Sequence, residues 1–270
     1  MSIKYIITFF LLVGLFSCDD EDQSVRFFFI GDGEYLYLDS TIEENDYSVL
    51  LYQYDVERPT LISGYNNLQL AFYDYKTGKY TTNVSFDMNV FKVNDDTIYA
   101  PYYANQTFNN LEVTNSPIYF SEPSDGGEWT VQIFGMLNGR DFFSEMKFDD
   151  VDDAFFTRKF EYGGLEYQFT LVEPFFPKVG ITNIEFALHK NQGTYWEYVN
   201  NFTTRLTISN DDITNPPGVL DPTPIDYQPG HYSGKLNITS SGDWFLKIEL
   251  FDDENPVYTY EQAIYVKVSS

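Results

Sequence analysis

Two histidines, His189 and His231, four methionines and one cysteine, Cys18, are all the imidazole and sulfur chemistry in this chain of 270 residues. Such groups bind copper(I) and other soft or borderline metals when several converge. His231, in QPGHYSG, would serve as a metal ligand together with Met88, Met136 or Met146, but no spacing in the sequence unites the four. His189, in ALHKNQG, reads as the end of a strand entering a turn. Oxygen ligands are plentiful. FDDVDDAFF offers Asp149, Asp150, Asp152 and Asp153, and FDDENP offers Asp252, Asp253 and Glu254. Calcium takes six to eight oxygens, and clusters of this kind supply some of them. Neither cluster has the alternating ligands, turn glycine and closing glutamate of an EF-hand loop. Hydrolysis needs a base, a nucleophile or paired acids held in a pocket, and no spacing here singles out two of the many carboxylates. The expectation is a protein that is not an enzyme and has no cofactor. Copper at His231 and a structural calcium at the first acidic cluster stay open.

Cys18 is placed differently from a core or catalytic thiol. An almost wholly apolar run, Ile6 to Phe16, leads to Ser17-Cys18, and Asp19, Asp20, Glu21 and Asp22 follow at once. Four adjacent carboxylates need water or partners, so burial of this thiol is costly. With no second cysteine there is no internal disulfide. The apolar run is about half the roughly 20 residues a membrane-spanning helix needs, and with Lys4 ahead of it the segment has the layout of a secretory signal. LFSC resembles the lipobox of bacterial lipoproteins, and CDDEDQ is similar to the acidic export signal of surface lipoproteins of the Bacteroidetes. The resemblance implies a signal peptide over 1–17, palmitate-type acylation of Cys18, and an acidic tether over 18–25. It also implies a lipid-bilayer anchor in the outer membrane, with the chain facing the exterior. Two or three acyl chains hold firmly where one is marginal.

The net charge of −25 makes nucleic acid and anionic lipid poor partners for the bulk surface. Hydrophobic residues at 43% and aromatic residues at 19% are too many for a disordered acidic tail, and the length suits two domains better than one.

The elements that must position any site follow from an internal repeat. GYNNLQLAF starts at Gly64 and GITNIEFAL at Gly180; GGEWTVQI and SGDWFLKI then align Trp129 with Trp244. A nearly constant offset across both motifs implies duplication of one unit. In each copy the larger side chains alternate, Leu68, Leu70 and Phe72 in one and Ile184, Phe186 and Leu188 in the other. A period of two is that of a β-strand with one face buried. Short strands separated by Gly, Asn, Asp and Pro predict an all-β chain of two tandem immunoglobulin-like β-sandwich domains. The expected limits are 26–139 and 160–270, with 140–159 a linker or packed insertion. Each tryptophan is expected just after a turn, entering a strand and covering one end of its sandwich. The proline-rich stretch 214–230 reads as a long loop, a natural place for a binding surface.

PGHYSGKLNITSSGDWFLKIEL, from Pro229 to Leu250, is similar to the end of YtkA-like domains, small extracytoplasmic β-sandwich modules of bacterial envelopes. Gly230, Tyr232, Gly242 and Trp244 carry the likeness, and the first copy keeps Gly127 and Trp129. For this chain the resemblance implies a lipid-anchored envelope module that binds a protein, peptide or glycan or serves as an accessory subunit. Copper handling, which relatives perform through methionine and histidine, is the alternative.

Overall fold

The alternation read from the sequence becomes β-strands, and among the described residues the strands pair antiparallel. The computed structural model describes residues 35–42, 47–53, 61–93, 96–102, 106–107, 113–125, 127–154, 156–174, 177–210, 221–222 and 230–266. Cys18, the signal and acidic-tether segments and most of 214–230 lie outside the described residues.

The first half carries β1 (Tyr35–Ile42), β2 (Tyr47–Gln53), β3 (Gly64–Asn66), β4 (Leu68–Asp74), β5 (Lys79–Tyr80), β6 (Val84–Val93), β7 (Thr97–Tyr99), β8 (Gln106–Thr107), β9 (Val113–Asn115), β10 (Ile118–Phe120), β11 (Trp129–Leu137) and β12 (Arg140–Phe148). The second half carries β13 (Thr157–Tyr162), β14 (Leu165–Glu173), β15 (Gly180–Asn191), β16 (Trp196–Tyr198), β17 (Thr203–Ser209), β18 (Asp221–Pro222), β19 (His231–Ile238), β20 (Gly242–Asp252) and β21 (Asn255–Val266).

In the second half one sheet runs β13-β14-β15-β19-β18, with β16 also on β15, and the other runs β17-β20-β21. Setting aside β13 at the edge, these are the four-strand and three-strand sheets of an immunoglobulin constant-type sandwich, joined in the same order. The first half repeats the plan. There β2 pairs with β4, which takes β9, and β12-β11-β6-β7, with β8 also on β6, form the opposite sheet; β3 and β10 make a separate ribbon. Each unit has its own core. Leu51, Leu70 and Phe72 meet Met88, Val131 and Met146 in the first. Phe169, Phe186 and Leu188 meet Trp244, Leu246 and Ile248 in the second.

Gly64 and Gly180 open β3 and β15 with φ of 127° and 119°, a region open to glycine and strained for other residues. Trp129 and Trp244 are wholly buried, each on a strand that is paired on both sides. Each indole N–H closes on the turn before its strand, Trp129 donating to the Glu122 carbonyl at 3.1 Å and Trp244 to the Ser240 carbonyl at 3.0 Å.

The segment 140–159, expected between the units, differs from that reading. Over Arg140–Phe148 it is strand β12, paired with β11 along its whole length. Asn138 and Gly139 turn the hairpin with φ of 52° and 77°, the left-handed pair that a two-residue loop needs to match strand twist. Further on, Val151 enters the first core, and the backbone of Asp152 bonds to Leu61 and Ser63.

Candidate functional site

The residues singled out for metal chemistry are dispersed. Met88 and Met146 are buried in the core of the first unit, whereas Met136 is 48% exposed on β11. His231 opens β19 in the second unit and meets neither core methionine. Asp149, Asp150, Asp152 and Asp153 are exposed, and Asp153 accepts a hydrogen bond from the Ser63 hydroxyl at 3.3 Å. Among the described residues no three His, Cys, Asp or Glu gather to hold a metal ion.

What the fold does gather is a polar joint between the two units. Its origin lies in the second face of two strands. On β14, Tyr167, Phe169 and Leu171 point into the second core, while Gln168, Thr170 and Val172 point the other way and are buried as well. On β15, Ile184, Phe186 and Leu188 take the core side, and Ala187 and His189 the other. Burial on both faces requires a covering layer. The β3–β10 ribbon of the first unit supplies it, with Tyr65 and Tyr119 packed against Val172 and Ala187.

Polar groups then fix the joint. The Gln168 amide donates to the Tyr119 carbonyl at 3.3 Å. His231 is 1% exposed; its Nε2 lies 2.5 Å from the Tyr119 hydroxyl, and its Nδ1 bonds to Glu185. The Glu185 carboxylate accepts from Nδ1, and Nε2 and the Tyr119 hydroxyl share one hydrogen bond that either can donate. The result is a chain of bonded groups, Tyr119, His231 and Glu185, that crosses from one unit to the other. A short arm of the second unit adds two bonds: Trp196 Nε1 donates to the Tyr99 carbonyl and the Tyr198 hydroxyl to the Tyr102 carbonyl, both at 2.9 Å.

His189 is the exception. Its ring lies 4.6 Å from that of Tyr119 and 5.6 Å from that of Tyr198, wholly buried. Neither nitrogen has a hydrogen-bond partner among the described residues, nor does Oε1 of Gln168, its cross-strand neighbour. Burial, reinforced by His231, holds its pKa well below the ordinary imidazole value. Nearby Glu173 is held above the usual carboxylate range by burial and by the Glu185 charge.

A glutamate, a histidine and a hydroxyl in series have the composition of acid–base machinery. Here the hydroxyl is 1% exposed and the imidazole equally buried, so no substrate reaches either. The chain's work is mechanical: directional bonds hold one sandwich against the other. Tyr119→Phe removes the hydroxyl that pairs with His231 Nε2, and leaving a buried polar group unpaired costs about 1–3 kcal/mol. Denaturant titration of this variant is expected to show that loss; a change below about 0.5 kcal/mol would mean the bond contributes nothing.

No family model matches the chain, and no curated protein matches it. Solved structures resemble it distantly. The Escherichia coli adhesin FdeC aligns with 84% of this chain and 65% of its own at 10% identity, with a TM-score of 0.27. A DUF4785 family protein from Legionella pneumophila aligns with 83% of this chain and 57% of its own at 9% identity, TM-score 0.28. The D0-D1 domain of intimin aligns with 76% and 93% at 13% identity, TM-score 0.23. This chain thus spans about 65% of the length of the FdeC chain it aligns with. The strand order and the joint stand on the pairing and the contacts alone.

The joint lay outside what the motifs indicated. A signal was nonetheless present: the outward faces of β14 and β15 carry Gln168, Thr170, Val172, Ala187 and His189, uncharged groups, between Glu166 at one end and Glu185 at the other. The outward face of β20, by contrast, carries Asp243, Lys247 and Glu249.

Proposed function

We propose that this chain is a non-enzymatic, lipid-anchored envelope module in which two immunoglobulin-like units, locked at their joint, display loops to a protein, peptide or glycan. The observation that carries this reading is that both histidines are consumed in a buried joint. The sequence's imidazole chemistry thereby serves rigidity. A stiff two-unit body loses little conformational freedom when its loops engage a partner, and pre-organisation of that kind favours binding.

The lipobox-like LFSC and the acidic CDDEDQ support attachment through Cys18 to the outer leaflet of an outer membrane, as in Bacteroidetes surface lipoproteins. Kinship of the second unit with YtkA-like domains is supported by Gly230, Tyr232, Gly242 and Trp244. Within that set Tyr232 is wholly buried and its hydroxyl accepts from the Phe202 amide at 3.2 Å.

Intact mass of the protein from its native host tests the anchor. The expected chain begins at Cys18 and carries added acyl mass. A chain that retains an unmodified Cys18, or begins elsewhere, overturns the attachment. Affinity capture at the native cell surface, with the chain as bait, tests the binding role: recovery of one saturable partner is expected, and recovery of none removes the reading.

A further inference from the structure

The His189 side chain is the least satisfied group of the joint, and its position suggests what the joint responds to. It is wholly buried between the units, its ring lies against Tyr119 across the boundary, and neither nitrogen has a partner among the described residues. We propose that the joint is acid-sensitive, opening when His189 takes up a proton and freeing the two sandwiches to move while each core stays folded.

The groups in contact with His189 carry no negative charge. From the first unit the ribbon presents Tyr119, with Tyr65 behind it. From its own unit β16 presents Tyr198, β14 presents Gln168 and β19 presents His231. On β14, Glu166 stands past Gln168 on the same face, but it is half-buried at the edge, where it accepts from the Asn191 amide at 3.2 Å and pairs with Lys159; on its own strand the nearest carboxylate, Glu185, is four residues away, about 13 Å at the rise of a strand, and is already engaged by His231. Glu173 lies beside Glu185, at the same far end of the face. A proton on His189 would therefore sit in a desolvated joint next to a second imidazole. Water would relieve it, and opening the joint admits water.

The sign follows from which state binds the proton. The closed joint favours the neutral ring, whereas the open joint leaves it near its ordinary value of 6.5. Closure is thus at full strength above that pH and weakens as pH falls through it, by about tenfold per unit for one proton. Between pH 7.5 and pH 5.0 the opening equilibrium rises about 30-fold.

Amide hydrogen exchange on the full chain, corrected for the intrinsic pH dependence of exchange, measures this directly. Protection in the β3–β10 ribbon is expected to fall about 30-fold from pH 7.5 to pH 5.0, while β11 and β20 keep theirs. In His189→Gln, which cannot titrate, the ribbon's protection is expected to be independent of pH. Constant protection in the parent chain overturns the proposal. So does an equal fall in His189→Gln, or a fall in the core strands in step with the ribbon. His231→Gln separates the two imidazoles: a pH response lost there and kept in His189→Gln assigns the proton to His231 and also overturns it.

Discussion

Replacing Trp244 by alanine is expected to destabilise the second unit by about 3–5 kcal/mol, as large aromatic truncations in a closed core do. The indole is wholly buried on the middle strand of its sheet, among Leu246, Ile248, Phe186 and Tyr260. Its N–H is used by the Ser240 carbonyl, so alanine both empties a volume and frees an acceptor. A domain of ordinary stability holds about 5–15 kcal/mol in total, so the loss removes a large share. Because the two cores are separate, denaturant unfolding should resolve a weakened transition for the second unit and a nearly unchanged one for the first. Trp129→Ala should do the reverse. A loss below about 1 kcal/mol in either would show that the indole's cavity collapses without cost.

Gly135→Ala is expected to be as damaging with a change of one methyl group. A Cβ at Gly135 would lie 2.1 Å from the Ser85 carbonyl oxygen and 2.8 Å from the Phe86 Cα. Both are backbone atoms of the neighbouring strand, and Gly135 pairs with Phe86 on one side and Phe142 on the other. No side chain can rotate away to make room, so the β6–β11 ladder must part. Overpacking ordinarily costs about 1–3 kcal/mol and more where backbone is displaced; a loss above about 3 kcal/mol is expected here. Gly139→Ala is the control. Nothing lies within 4 Å of its Cβ, so only its φ of 77° matters, worth about 1–2 kcal/mol. Equal losses at the two sites, read from the first unit's unfolding transition, would remove the steric argument.

The core of each unit was legible because its signal is local. Leu68, Leu70 and Phe72 alternate within five residues, Ile184, Phe186 and Leu188 do the same, and the repeat ties one set to the other. Strand β12 was not legible as such. Phe142, Ser144, Met146 and Phe148 do alternate inward, but a serine among them and an exposed Phe143 blur the hydrophobic period. The Asn138-Gly139 turn carried the hairpin signal instead. The candidate site was the least legible part. Ala187 and His231 are register partners on β15 and β19, a pairing of distant segments that no motif declares. His189 and His231, read singly as a strand end and a loop residue, gain their meaning only when Tyr119 of the other unit closes over them. The uncharged middle of those outward faces was the available clue, and it says that a face is covered without saying by what.

Tyr119 meets a histidine 112 residues further along the chain. The first core closes with residues no later than Val151, so a chain emerging from its N-terminus completes that sandwich while its partner face is still being made. During that interval Tyr65 and Tyr119 stand bare, an aromatic ribbon with nothing to cover it. Long-range contacts of this kind form last, and the surfaces awaiting them are where aggregation starts and where chaperones bind. The joint therefore records arrival: a chain cut short before His231 carries a finished first sandwich and an unfinished face.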